Sequence, residues 1–211
     1  MKGLLYKDFC VLKKQVKILA VFVVFYAVWS VAAQVPTMMG TMVILLSIMM
    51  PISSMSYDEA GQWYRYAFSL PVSRRALVLS KYMLGFLTAL GGLLVSAIGN
   101  LVILSLTNWE NALESWVTIG ACLEVGVIFL SVLIPLLFKF GVEKGRFLIV
   151  AIAVVPSMLI AMLAGPLKSA GLSLPSEEVL QAVLYASPFF TLAIFLISFR
   201  ISVGICKKKE Y

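Results

Sequence analysis

Histidine is absent from this 211-residue chain, and charge is scarce, with Asp, Glu, Lys and Arg making up 13% of it. A soluble domain carries about 25% charged residues. Without histidine the chain lacks the commonest proton shuttle and metal ligand. The three cysteines, Cys10, Cys122 and Cys206, have no metal-like spacing. Three cannot all pair within one chain, so no disulfide framework is expected. The only aspartates are Asp8 and Asp58, and neither falls in an apolar run, which removes paired-aspartate proteolysis within a membrane. No G-x-x-x-x-G-K-[ST], H-E-x-x-H or G-x-S-x-G motif occurs, so an enzyme reading has no phosphate loop, metal site or nucleophile to stand on.

What remains is apolar: 62% of residues are hydrophobic, against about 45–50% in soluble domains. The runs approach the ~20 residues that a membrane helix needs. They are continuous rather than alternating, which excludes barrel strands. The fold class is therefore an all-α membrane protein, and six spans are expected within a single domain, 1–211. They cover 18–33, 38–55, 74–106, 116–138, 147–163 and 189–206. Before them, 1–17 reads as an amphipathic helix lying in a headgroup layer, with Leu5, Phe9, Leu12 and Val16 on one stripe among lysines. Lysines, an apolar run and V-A-A-Q at 31–34 imitate a secretory signal. The length of the leading segment and the spans that follow argue against cleavage. Pro51 and Pro156 are expected to kink their helices. Gly165, Pro166, Gly171 and Pro175 break the pattern, so 164–187 reads as a broken or re-entrant external pair of half-helices.

The stretch from Tyr57 to Lys81 stands out between two apolar runs. It gathers Asp58, Glu59, Arg65, Arg74, Arg75 and Lys81, with Trp63, Tyr64, Tyr66 and Phe68 close together. Ala60, Trp63, Ala67 and Leu70 share one helical face, with Tyr64 beside it. Pro71 bars continuation, and Ser73 suits the N-cap of a helix running to Leu106. The first two turns of that helix, through Lys81, are expected to project into the cytoplasm. The stretch reads as a handle by which a separate motor moves a bundle.

All 17 lysines and arginines except Lys168 fall on one side of this span map. The positive-inside rule puts that side, with both termini, in the cytoplasm. The net charge of +7 thus serves topology and lipid headgroups rather than nucleic acid. Gly85, Gly92 and Gly99 are seven apart and form a face that lets another helix backbone approach, with a glycine hinge as the weaker reading. Glu124 lies about two turns inside its span, where an ionisable group needs a partner or water. Asn100 falls at a similar depth if the two helices are antiparallel neighbours. A structural Glu124–Asn100 hydrogen bond and a polar group facing a substrate path both remain open.

These residues resemble a family. D-E-A-G-Q-W-Y-R-Y-A-F-S-L-P-V-S-R-R at 58–75, followed by S-K-Y at 80–82, is similar to the membrane subunit of a type-2 ATP-binding-cassette (ABC) exporter. The chain resembles the small bacterial permeases that work with a separately encoded ATPase. The resemblance implies two permease copies, identical or not, with two ATPase subunits in the bacterial cell membrane. ATP and Mg would be bound by the ATPase, and no cofactor by this chain. Residues 57–70 would be the coupling helix, with Asp58, Glu59, Trp63, Tyr64, Arg65, Ala67 and Leu70 at the ATPase. Trp63 and Tyr64 would be buried anchors there, and Asp58, Glu59 and Arg65 rim contacts. Segment 1–17, through Leu5, Phe9 and Leu12, would be the interfacial connecting helix. Implied substrates are amphipathic or antimicrobial-type peptides, with lipids or drugs as further options. A stand-alone secondary carrier, or a peptide-binding immunity protein, is the competing reading.

Overall fold

The computed structural model describes residues 2–69, 73–106, 112–142 and 177–208, and single positions at 144, 145, 147, 150, 151, 154, 158 and 162. Six helices are defined: α1 (Lys2–Ala32), α2 (Thr37–Ala60), α3 (Trp63–Ser69), α4 (Arg74–Leu106), α5 (Ala112–Phe140) and α6 (Glu177–Lys208). All except α3 are long and apolar enough to cross a membrane.

Their ends follow local chemistry. α1 closes where Gln34 turns left-handed, at φ 56. The Ser30 hydroxyl donates to the Val35 carbonyl at 2.6 Å across that turn. Pro36 then leads directly into α2, where a missing N–H costs nothing. α2 stops at Gly61 and Gln62, the latter at φ 48. The Gly61 and Gln62 amides donate back to the carbonyls of Tyr57 and Glu59, each at 3.0 Å. Ser73 caps α4 through its hydroxyl, which accepts from the Ala76 amide at 3.2 Å.

Three expected boundaries move. The headgroup-layer helix over 1–17 is not a separate element: α1 runs unbroken for 31 residues, because no glycine or proline interrupts it between Leu4 and Val35. At 1.5 Å per residue it is about 46 Å long and outreaches a ~30 Å hydrocarbon core. Its first turns therefore protrude beyond the apolar window that starts at Gln15. Tyr57–Ala60 belong to α2, so the helix expected over 57–70 shrinks to α3. Helix continues through Pro188, which joins 177–187 to the last span instead of closing a half-helix there. The fifth expected span, 147–163, and the rest of 164–187 fall mostly outside the described residues. Within 147–163, Phe147, Val150, Ala151, Val154, Met158 and Met162 have helical backbone and outward side chains.

α2 is the central post and packs against α1, α3, α4 and α5. α4 lies antiparallel on it through a small-residue stripe. A Cβ on Gly92 would stand 2.6 Å from Ser47 Oγ, one on Gly99 would run into Met39 Cε, and one on Gly85 would stand 3.7 Å from Pro51 Cγ. The Ser96 hydroxyl donates to the Gly40 carbonyl at 3.0 Å between them. Without water to drive apolar association, such close backbone approach is what holds membrane helices together. α6 packs on α5 and α4. The Tyr82 hydroxyl meets Ser198 and Ser202 at 2.6 and 2.8 Å, and Ser198 donates to the Ser131 carbonyl.

The bundle has two unlike ends. One gathers the start of α1, α3, the start of α4, and the ends of α2, α5 and α6; it is called the charged end below. Arg74 ties two of these elements by donating to the Cys206 carbonyl at 3.2 Å and the Lys207 carbonyl at 2.5 Å. That contact also sets a cation at a helix C-terminus, where the dipole favours it. α5 and α6 both finish at the charged end.

Candidate coupling site at the charged end

Helices α1, α2 and α4 converge on a group of four charges, three of them buried and Lys7 half-buried. Asp8 is 1% exposed, Lys81 2% and Asp58 4%. The Lys81 ammonium stands 2.9 Å from Asp8 and 2.5 Å from Asp58, and donates to the Ser54 hydroxyl at 2.9 Å. Ser54 in turn donates to Asp8 at 3.1 Å. Lys7 pairs with Asp58, and with Asp8 at 3.2 Å. Two cations and two anions leave no net charge, and the shared hydrogen bonds offset desolvation that would otherwise cost several kcal/mol per ion.

Sequence periodicity explains why these groups meet. Leu5, Asp8, Leu12 and Leu19 follow the 3–4 spacing of one helix face. Leu5, Leu12 and Leu19 pack with Met50 and Leu84. Asp8 occupies an otherwise apolar stripe and is carried inward with it. Lys81 falls four residues before Gly85, on the same face of α4 that the glycines bury. The expected projection of this turn into the cytoplasm does not hold for Lys81, because α1 and α2 enclose it. The expected stripe of α1 is split as well: Leu5 and Leu12 turn inward, while Phe9 and Val16 remain exposed.

α3 rests beside this group. The Lys7 ammonium lies 4.3 Å from the centre of the Trp63 ring, a cation–π contact worth about 0.5–2 kcal/mol. Trp63 is half-buried against the core. Tyr64 and Ala67 are buried in it, and Tyr64 makes an edge contact with Phe138 of α5. These two residues therefore face this chain's own bundle rather than an external groove, since period 3.6 puts them on the side that α2 and α5 cover. Asp58 is likewise an internal ion-pair member and not a rim contact. Arg65 belongs to α3, and Leu70 falls outside the described residues. Among the described residues, Tyr57, Tyr66 and Ser69 face outward here, with Gln62 and Glu59 alongside.

Glu59 ties the end of α2 to the end of α5. Its carboxylate accepts from the Val142 amide, while Gly141 turns at φ 82 beside it. A Cβ on Gly141 would stand 2.5 Å from Glu59 Oε1. Gly141→Ala is therefore expected to destabilise the purified protein by about 2 kcal/mol, combining backbone strain with a displaced cap. Gly120→Ala meets nothing within 4 Å and serves as control. Thermal unfolding in detergent compares them, and equal melting temperatures would remove this lock.

The intramembrane pair does not form. A Cβ on Gly40 would meet Ile119 of α5 at 2.9 Å and Ser96 of α4 at 3.7 Å, which fixes a common depth. Asn100 lies beyond that level towards the far end and Glu124 beyond it towards the charged end. They are about 13 Å apart along the axis. Asn100 is buried, and neither of its amide atoms has a partner among the described residues. Glu124 is half-buried. Sequence reasoning missed Lys7, Asp8, Ser54 and Lys81 as members of one site. The usable signal was the phase of Asp8 with the leucines and of Lys81 with the glycines.

Among the described residues no group of three or more metal-ligating side chains occurs. A family model described as "ABC-2 family transporter protein" matches residues 3–207. No curated protein and no solved structure matches the chain.

Proposed function

The chain belongs to the ABC-2 transporter family, a multi-pass membrane protein whose family implies an ABC transporter with an ATPase partner, and from this we propose that α3 couples that ATPase to the bundle for export. The charged end faces the cytoplasm, and nucleotide and Mg chemistry belong to the partner. Two ATPase copies and a second copy of the permease complete the assembly in a bacterial cell membrane. Amphipathic peptides are the proposed cargo.

The observation that supports this most is the two-faced character of α3. Its inner face is fixed to α5 by Tyr64 and to α1 by Trp63 over Lys7. Its outer face presents Tyr66 and the neighbouring Tyr57, each more than half exposed. A push on that outer face has rigid routes inward. The ion group joins α1, α2 and α4, Glu59 joins α2 to the turn after α5, and Arg74 joins α4 to α6. Packed elements of this kind move as bodies rather than deform.

Tyr66→Ala and Tyr57→Ala are the direct tests, since Tyr64 changes would disturb the bundle itself. Tagged protein is purified from its native membrane and the eluate assayed for ATP turnover. The variants are expected to keep the parent's melting temperature while losing about tenfold in co-purified ATPase activity, the loss of one aromatic anchor. Full activity in both variants would sink the coupling role of this surface. Elution of the parent alone, without turnover, would favour a stand-alone carrier or binder.

A further inference from the structure

A groove of about 210 Å³ opens between α4, α5 and α6, lined by Gly85, Phe86, Val127, Leu130, Thr191 and Phe195 among others. Its walls are apolar except at one point. Thr191 is 7% exposed, and its hydroxyl has no hydrogen-bond partner among the described residues. A threonine in a membrane helix ordinarily bonds a carbonyl one turn back; this one lines the groove instead.

Glu124 lies at the depth of Thr191. The Ser198 hydroxyl bonds the Ser131 carbonyl, and α5 and α6 run in the same direction. Seven residues back from each member of that bond stand Thr191 and Glu124, at one level because both helices rise equally per residue. Glu124 is also one turn before Val127, which lines the groove. It is half-buried and makes no ion pair among the described residues. A carboxyl at such depth is costly without a partner. The floor of the groove is fixed, since Phe195 packs edge-on against Tyr82 at 5.1 Å and Tyr82 is held by Ser198 and Ser202.

We propose that this groove binds a cationic amphiphile, with an alkyl or aryl segment along Val127, Leu130 and Phe195 and a protonated amine between Glu124 and the Thr191 hydroxyl. Charge complementarity selects this occupant over an ordinary lipid chain, which would satisfy neither polar group. The space accepts one chain segment, so a whole peptide would engage it through a single side chain or terminus. The site is remote from α3, and its occupancy is independent of ATPase coupling.

The test uses the full chain in phosphatidylcholine nanodiscs and two photoreactive diazirine probes, a dodecylamine and the matching dodecanol. Adducts are mapped by mass spectrometry. The amine is expected to label 124–130 and 191–195 about tenfold more than the alcohol does, as a close charge pair would give. Glu124→Gln should reduce amine labelling to the alcohol's level and leave alcohol labelling unchanged, which also reports an intact groove. Thr191→Val should lower amine labelling less than Glu124→Gln does. Equal labelling of the unaltered chain by both probes would mean a lipid-filled groove only and would overturn the proposal, whether or not the variants fold. Amine preference that survives Glu124→Gln would overturn it as well.

Discussion

Lys81→Met is expected to cost about 3–5 kcal/mol, the range for removing one partner of a buried ion pair. Methionine fills similar space but leaves Asp8 and Asp58 with Lys7 as their only cation among the described residues. It also deprives Ser54 of a donor. Native proteins have only about 5–15 kcal/mol in hand, so the variant should yield little monodisperse protein on size exclusion and melt at a much lower temperature. Restoring neutrality should restore stability. Lys81→Met with Asp8→Asn leaves one balanced pair, Lys7 with Asp58, and an amide able to bond Ser54. The double variant should recover most of the loss, a strong departure from additivity of the kind contacting residues give. A single variant as stable as the parent, or a double variant no better than the single, would mean that these charges do not hold α1, α2 and α4 together.

Gly92→Leu is the second large effect. Even the first carbon of the new side chain would stand 2.6 Å from Ser47 Oγ and 2.7 Å from Ser47 Cβ, with the Ile44 backbone at 3.7 Å. Serine offers no flexible end to swing aside, and its hydroxyl is already committed to the Val43 carbonyl at 2.8 Å. The two helices must separate, which opens the interface that α2 uses to organise the bundle. Overpacking of this sort costs about 1–3 kcal/mol, and the upper end applies because the contact is backbone-close. Gly91→Leu is the matched control: a Cβ there meets nothing within 4 Å, and helix propensity changes by the same amount. The comparison is made by thermal unfolding in one detergent. Equal losses at the two positions would show that propensity or insertion, not α2–α4 contact, decides the outcome.

Much of the fold was legible because a membrane imposes a simple rule: backbone polar groups must be satisfied within each crossing segment. Continuous apolar runs therefore read as helices, and α4 begins at Arg74 and ends at Leu106 as its sequence requires. The α3 boundaries were less legible, since nothing before Gly61 stops a helix and the turn residue proved to be Gln62. The continuity of α6 through Pro188 was missed for a related reason. Proline removes one bond and crowds one carbonyl, and the neighbouring helices of a bundle stabilise the rest.

The site divides along the same line. Composition and periodicity determined on their own that this is a helical membrane protein, that its charges gather at one end and that an aromatic segment stands there. Only tertiary structure decided which charges face one another. Lys81, Asp8 and Asp58 meet because α1 and α4 cross α2 at one level, and Glu124 misses Asn100 because antiparallel helices carry them in opposite directions from Gly40. Helical period fixes a residue's face within its own segment, whereas depth and partner depend on how separate helices are offset along their axes.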